Sequence, residues 1–242
     1  MLKRIFPVLL LRDFDFVKSF QFNEYMYLGD PLNVIKVFNE KFIDELVILN
    51  ITNANVVDYM FLSDLFSEAF VPITYGGGIS NQDDIRKVLD LGVERVVLNA
   101  KKFKDTNFLA ESAETFGSST ICTKIDIGRS YRHSINLEQL KDLISWCIDQ
   151  GVSEIIVDSI SKDGTQSGLD NNVYDVVTEF QNQVSIVLSG GVRNLDELND
   201  QKLEGLGGVA ASSLFVFAPG SKSVLINNPC YNYSEIDHEF CL

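Results

Sequence analysis

Short apolar segments alternate with longer helical patterns along nearly the whole chain, and this alternation restricts the fold more than any other feature. Continuous apolar segments are typical of parallel strands whose two faces are both buried. Eight such segments with helices between them, in a chain of 242 residues, predict an α/β fold of the TIM (β/α)8 barrel type. A doubly wound open sheet is the alternative, but no GxGxxG motif follows the first segment to favour it. The predicted strands are RIFPVLLL (4–11), DELVILN (44–50), PITY (72–75), RVVLN (95–99), STICTKID (119–126), SEIIVD (153–158), VSIVLS (184–189) and LGGVAAS (206–212).

Residues that cap helices mark the segments between these strands. Asp30 followed by Pro31 predicts the start of the helix PLNVIKVFNE. Asn136, with Gln139 three residues later, predicts a capping box, and Asn194 predicts a further N-cap. Other helices are predicted over residues 53–70, 83–91 and 106–116.

The chain also repeats itself at about half its length. Two (β/α)4 half-barrels that close into one barrel explain this repeat better than two separate domains. We therefore predict a single domain over residues 1–242, with half-barrels of about 1–117 and 118–225 and a C-terminal tail over 226–242. The matching pairs are PITYGGGISNQDDI (72–85) with SIVLSGGVRNLDEL (185–198), DELVILNIT (44–52) with SEIIVDSIS (153–161), and KRIFPVLL (3–10) with STICTKID (119–126).

In such a barrel the first and fifth strands face each other, and they carry Leu10 and Asp126 at their ends. TIM barrel active sites lie at this end of the strands. Leu10 therefore lies opposite a carboxylate. It is either an ordinary core residue or the replacement of a catalytic acid. Asp13 cannot easily replace it, because Asp13 lies three residues on with the opposite side-chain parity. Lys124 shares the parity of Asp126, and a lysine inside a barrel needs a partner, either Asp126 or Asp158.

The chain is acidic, with a formal net charge of −14 and a pI near 4.5. This charge argues against nucleic acid or an anionic membrane surface as the main partner. A phosphorylated small molecule is not excluded, because loop amides can bind phosphate in an acidic protein. No apolar segment reaches transmembrane length and the N-terminus has no cleavage pattern, so we expect a cytoplasmic protein. Neither a metal site nor a cofactor is predicted, since no CxxC spacing links the four cysteines, Cys122, Cys147, Cys230 and Cys241.

Two glycine-rich loops follow predicted strands and precede predicted helices. They contain Gly76-Gly77-Gly78 and Gly190-Gly191. Glycine at such a turn lets backbone amides approach an anion closely, and the next helix N-terminus favours negative charge. Two such loops half a barrel apart indicate a ligand with a phosphate at each end. The polar loop DGTQSG (163–168) is a candidate substrate loop.

A series of motifs in the same order resembles the cyclase subunit of imidazole glycerol phosphate synthase, a TIM barrel of histidine biosynthesis. The resemblance spans nearly the whole chain. It implies that ammonia arrives from a class I glutaminase subunit through the barrel axis and that two catalytic carboxylates end the first and fifth strands. The motifs are KRIFP (3–7), VKSF (17–20), GDP (29–31), IDELVILNIT (43–52), ITYGGGI (73–79), SISKDGTQSGLD (159–170), LSGGV (188–192) and VAASSLF (209–215).

The resemblance assigns roles to individual residues and also shows departures from the family pattern. Asp126 corresponds to the fifth-strand catalytic carboxylate, whereas Leu10 replaces the first-strand carboxylate and cannot transfer a proton. Ala100 stands where the family has a hydroxyl, and the loop after Asp126 lacks the family's extra hairpin. The implied substrate-loop residues are Lys18, Asp163 and Thr165, and the implied phosphate-binding residues are Gly77, Gly78, Asn99, Gly164, Gly190, Gly191, Ser212 and Ser213.

At the other end of the barrel, four charges of alternating sign lie near the starts of predicted strands: Arg4, Glu45, Arg95 and Glu154. They can neutralise each other as a salt-bridged ring. The resemblance implies that such a ring gates the ammonia channel, while a charged plug that only closes the barrel is the alternative.

The substrate end of the barrel departs from the family pattern, whereas the ammonia end keeps it. In this combination the chain resembles a divergent branch of the family that is associated with N-acetyl sugar amidation in surface-polysaccharide biosynthesis. The leading hypothesis is a barrel that takes ammonia from a glutaminase at its N-terminal face and passes it on for sugar amidation, with an N-acetyl sugar amidotransferase as a further partner. The alternatives are an authentic cyclase with an altered site and a non-catalytic scaffold that activates a glutaminase. The two histidines, His133 and His238, lie in a predicted loop and a predicted tail. The sequence therefore indicates no cysteine–histidine pair that would make this chain its own glutaminase.

Overall fold

Ten β-strands lie in one sheet in the part of the chain that the structure describes, and eight of them close into a barrel. The computed structural model describes residues 4–52, 57–128, 133–198 and 200–230. The strands are β1 (Arg4–Arg12), β2 (Asp15–Phe20), β3 (Glu24–Gly29), β4 (Leu46–Asn50), β5 (Ile73–Gly76), β6 (Arg95–Asn99), β7 (Ile121–Ile127), β8 (Glu154–Ser159), β9 (Ser185–Ser189) and β10 (Gly208–Ala211).

The barrel closes because β1 pairs in parallel with both β4 and β10. Val8 lies opposite Val47 on one side of β1, and Arg4 lies opposite Gly208 on the other. All neighbouring barrel strands are parallel, in the order β1-β4-β5-β6-β7-β8-β9-β10. The predicted TIM barrel is therefore confirmed. In this order β1 and β7 lie on opposite sides of the barrel, whereas the division into two half-barrels stays a prediction.

Helices pack around the barrel, and their caps follow the sequence prediction. Asp30 accepts a hydrogen bond from the backbone N–H of Asn33 at 3.0 Å. Asn136 and Gln139 form a capping box, although the turn they cap is a short 3-10 helix that leads into the next α-helix. Within the described ranges the α-helices are α1 (Pro31–Asn39), α2 (Tyr59–Ser67), α3 (Gln82–Asp90), α4 (Ala100–Phe103), α5 (Phe108–Phe116), α6 (Leu140–Asp149), α7 (Asn171–Val177), α8 (Leu195–Leu198) and α9 (Ser213–Val216).

The helix predicted over 53–70 is shorter in the structure. It begins at Tyr59 because the side chain of Asp58 accepts a hydrogen bond from the N–H of Phe61 at 3.0 Å, and it ends at Ser67. Residues 53–56 of that prediction lie outside the described residues. So do residues 129–132 of the loop after β7 and residues 231–242 of the tail, which include His238 and Cys241.

A β-hairpin between β1 and α1 was not predicted from the sequence. β2 pairs antiparallel with β1 and with β3, so the hairpin extends the sheet from the C-terminal end of β1. Its tip contains Gln21 and Phe22, both in the left-handed backbone region. The hairpin therefore projects over the barrel mouth from the same strand that carries Leu10.

Candidate active site

A cavity of about 490 Å³ opens at the C-terminal ends of the barrel strands, the end where TIM barrel active sites lie. Every barrel strand or the loop after it contributes to its wall. The cavity therefore combines side chains from around the whole barrel, among them Leu10, Asn50, Gly77, Asn99, Asp126 and Ser212.

Leu10 and Asp126 both line this cavity from opposite sides of the barrel. On β1 the lining residues are Val8 and Leu10, so β1 presents only hydrocarbon to the cavity. Asp13 lies beyond β1 in the left-handed backbone region and is exposed outside the cavity wall. Asp126 is therefore not matched by a carboxylate from β1.

Lys124 ties Asp126 to a second carboxylate. Its Nζ forms an ion pair with Asp126 and lies 3.0 Å from Oδ2 of Asp158. All three side chains are buried. Burial alone would lower the pKa of Lys124, but the two carboxylates raise it above its usual value, so the lysine stays charged. Burial also raises the pKa of Asp126, and the ammonium of Lys124 opposes that rise.

Asn99 positions Asp126 from the neighbouring strand. Its Nδ2 donates to Oδ2 of Asp126 at 3.0 Å, and its Oδ1 accepts from the backbone N–H of Lys102 at 3.0 Å. Both polar groups of the Asn99 side chain are thus engaged. The second N–H of Nδ2 and the backbone remain to contact a phosphate.

The glycines of the predicted phosphate loops line the cavity, and their backbone requires glycine. Gly77 has φ +105°, and a Cβ there would lie 2.0 Å from the carbonyl oxygen of Asn50. Gly191 has φ +90°, and a Cβ there would lie 2.5 Å from the carbonyl oxygen of Gly168. These positions keep backbone close to the cavity, as anion binding by amides requires. Gly78, Gly164, Gly190, Ser212 and Ser213 also line the cavity.

Ser212 and Lys102 supply further polar groups to the cavity lining. The hydroxyl of Ser212 is buried and has no hydrogen-bond partner among the described residues. Lys102 was not predicted as a site residue; its Nζ donates to the carbonyl oxygen of Ile79 at 2.9 Å, and burial lowers its pKa. The sequence signal for Lys102 was its place three residues after Asn99, in the helix that Asn99 caps.

The hairpin is fastened to the loop after β8. Lys18 is buried, and its Nζ lies 2.8 Å from Oδ1 of Asp163, while the hydroxyl of Ser19 donates to Oδ2 of Asp163 at 2.5 Å. The ring of Phe22 at the hairpin tip stands 5.1 Å from Nζ of Lys124. Thr165, a predicted substrate-loop residue, is exposed outside the cavity wall, where its hydroxyl donates to the carbonyl oxygen of Lys162.

A closed ring of ion pairs lies at the opposite, N-terminal end of the barrel. Arg4 bridges Glu45 at 2.6 Å and Glu154 at 2.5 Å. Arg95 contacts the same two carboxylates and lies 2.5 Å from Glu154. Each arginine therefore joins both glutamates. The two arginines lower the pKa of Glu154 against the opposing effect of its burial.

An apolar layer separates this ring from the cavity. Its side chains point inward from seven of the barrel strands and are buried. Along the barrel axis, the neutralised ring of charges is thus followed by the apolar layer and then by Lys124 with its two carboxylates, Asp126 and Asp158. The layer consists of Phe6, Val8, Val47, Val97, Cys122, Ile156, Val187 and Ala210, with Leu49 packed against it.

Comparison with known proteins places this barrel in a family. The model of the family described as "Histidine biosynthesis protein" matches residues 4–219. The chain belongs to this histidine biosynthesis family. A Pseudomonas aeruginosa relative with the provisional name imidazole glycerol phosphate synthase subunit hisF2 is 34% identical, over 97% of this chain and 98% of its own. A Vibrio vulnificus relative with the provisional subunit name hisF3 is 36% identical, over 93% of this chain and 92% of its own.

A third member of the histidine biosynthesis family, from Campylobacter concisus, is named imidazole glycerol phosphate synthase subunit HisF. It is 31% identical to this chain, over 89% of this chain and 90% of its own. Across the described residues, no helix is long and apolar enough to cross a membrane. The same ranges contain no group of three or more His, Cys, Asp or Glu side chains arranged to hold a metal ion.

Proposed function

We propose that this barrel receives ammonia from a class I glutaminase subunit docked on its N-terminal face and passes it on for sugar amidation. In that reaction an acetamido group becomes an acetamidino group: the nitrogen of ammonia replaces the carbonyl oxygen, which leaves as water. An N-acetyl sugar amidotransferase carries out the replacement. The barrel itself performs no cyclase reaction. The ring of Arg4, Glu45, Arg95 and Glu154 then serves as the ammonia gate.

The ion pair between Lys124 and Asp126, opposite Leu10, is the observation that carries this proposal. General acid–base catalysis needs groups that gain and lose protons near the working pH. Leu10 has no proton to exchange. Asp126 is buried against a charged lysine and accepts a further hydrogen bond from Asn99, so it is poorly placed to act as a base.

The glycine loops of the predicted phosphate sites support a second candidate, the cyclase reaction itself. The glycine loops that contain Gly77 and Gly191 line the cavity, and the three relatives carry synthase-subunit names. A phosphorylated small molecule can therefore occupy the cavity under either proposal. The cyclase subunit that this chain resembles acts on a phosphorylated ribotide, and turnover of that ribotide substrate distinguishes the two.

Two exposed phenylalanines support partner docking on the N-terminal face. Phe42 lies in the loop before β4 and Phe70 in the loop before β5, with exposed fractions of 59% and 85%. Loops that lead into barrel strands surround the N-terminal face. The two loops are also connected, because Asn39 donates to the carbonyl oxygen of Glu68 and accepts from the N–H of Phe70. Aromatic side chains of this kind often anchor protein interfaces.

Phe42→Asp is expected to weaken binding of the class I glutaminase subunit by about 10-fold or more, because it replaces an aromatic anchor with a charge. Phe14→Asp is the matched control: Phe14 is equally exposed, at 57%, and also has a left-handed backbone, but it lies at the C-terminal end of the barrel. Titration calorimetry with the purified glutaminase measures both. Equal affinities for the two variants, or no binding by the unmodified barrel, would contradict docking on the N-terminal face.

A further inference from the structure

Two carboxylates stand side by side at the inner end of the cavity. Asp126 and Asp158 occupy matched positions on the adjacent parallel strands β7 and β8, and both are buried. Two ionised carboxylates at matched positions on adjacent strands repel each other unless a cation lies between them. The fold therefore creates a cation site wherever these two residues are ionised together.

The cation in this site is a side chain of the same protein. Lys124 lies two residues before Asp126 on the same face of β7, and its Nζ contacts both carboxylates. The ring of Phe22 lies 5.1 Å from this Nζ. Carboxylate oxygens and an aromatic face are the groups that bind ammonium ions in proteins.

One acceptor in the site is left over. Asp158 is only 8% exposed, and its buried Oδ1 has no hydrogen-bond partner among the described residues. The site therefore has more acceptor capacity than the lysine uses.

The site also lies where the barrel interior meets the cavity. Lys124 is paired in register with Ile156 of the apolar layer, and Cys122 of the same layer lies two residues before it on β7. A small molecule that leaves the apolar layer along the barrel axis therefore enters the cavity beside Lys124 and its two carboxylates.

We propose that Asp126, Asp158 and the ring of Phe22 form an ammonium site at the exit of the barrel interior, and that Lys124 fills it permanently. Without the lysine, ammonia that acquired a proton there would be held as ammonium, which is not a nucleophile. With the lysine in place, the exit retains no ammonium and passes neutral ammonia. Lys124 thus acts as a specificity-determining residue. This role rests on the proposed ammonia transfer, whereas the existence of the cation site does not depend on it.

The test removes the lysine and offers ammonium instead. The Lys124→Met variant should melt roughly 3 °C or more higher in ammonium chloride than in sodium chloride at equal concentration, because a ligand that binds only the folded state stabilises it. The unmodified protein should melt at the same temperature in both salts. Lys141→Met is the matched control, since it breaks the surface ion pair of Lys141 with Glu179 and creates no buried dicarboxylate.

A second variant covers the case in which Lys124→Met does not fold. Lys124→Met/Asp126→Asn keeps one carboxylate, so it should fold and show a smaller preference for ammonium in the same experiment. Equal melting temperatures in the two salts for whichever variant folds would overturn the proposal. The measurement uses neither a glutaminase nor a sugar, so its failure leaves the proposed function untouched, and a failure of glutaminase binding leaves the ammonium site untouched.

Discussion

Replacing Arg95 by alanine should lower the free energy of unfolding by about 3 kcal/mol, as expected when one partner of a buried ion pair is removed. Arg95 contacts both Glu45 and Glu154, whose side chains are 10% and 6% exposed. Its loss leaves Arg4 as the remaining ring cation for two carboxylates. Urea denaturation followed by circular dichroism measures the change.

Two further variants define what the Arg95 result means. Lys141→Ala removes the exposed pair with Glu179 and should cost less than about 1 kcal/mol. Arg95→Ala/Glu45→Gln restores one cation to one carboxylate, so part of the lost stability should return. If Arg95→Ala costs no more than Lys141→Ala, the four charges are not a coupled buried unit, and the gate loses its structural basis.

The purified barrel should convert the cyclase's ribotide substrate at least about 10²-fold more slowly than the Campylobacter concisus relative when ammonium is the nitrogen donor. Leu10 cannot take part in proton transfer, and Asp126 is held by Lys124 and Asn99. Loss of one member of an acid–base pair typically costs ~10²–10⁴-fold in rate. Following ribotide consumption by chromatography gives both rates.

Leu10→Asp alone should not restore full activity. The substitution returns a carboxylate to β1, but Asp126 stays paired with Lys124 and the loop after β7 remains altered. Near-normal turnover by the unmodified barrel, or full recovery in Leu10→Asp, would contradict the interpretation of Leu10 and Lys124.

Local patterns were sufficient to predict the barrel strands. β8, predicted over 153–158, spans Glu154–Ser159, and β9, predicted over 184–189, spans Ser185–Ser189. Parallel strands buried on both faces need continuous apolar segments, and such segments can be recognised without knowledge of the fold. Helix caps were also predictable from local sequence. The side chains of Asn136 and Gln139 accept hydrogen bonds from each other's backbone N–H within one turn.

Features that depend on distant contacts were not predicted. The hairpin of β2 and β3 is stabilised by the contact of Lys18 with Asp163, which lies 145 residues further along the chain. Its sequence alone, in which a buried lysine interrupts an apolar segment, does not indicate a strand. A carboxylate partner for Lys124, either Asp126 or Asp158, was predicted from side-chain parity. Its contact with both carboxylates and the position of Phe22 beside it depend on the folded structure.

The most direct test of ammonia transfer is an isotope measurement in the reconstituted system of barrel, class I glutaminase and N-acetyl sugar amidotransferase. Glutamine labelled with ¹⁵N at the amide is supplied together with a large excess of unlabelled ammonium, and mass spectrometry reads the nitrogen of the acetamidino product. Transfer through the barrel predicts that the product keeps the ¹⁵N label despite the unlabelled pool. A product whose label is diluted to the level of the bulk ammonium would contradict the account.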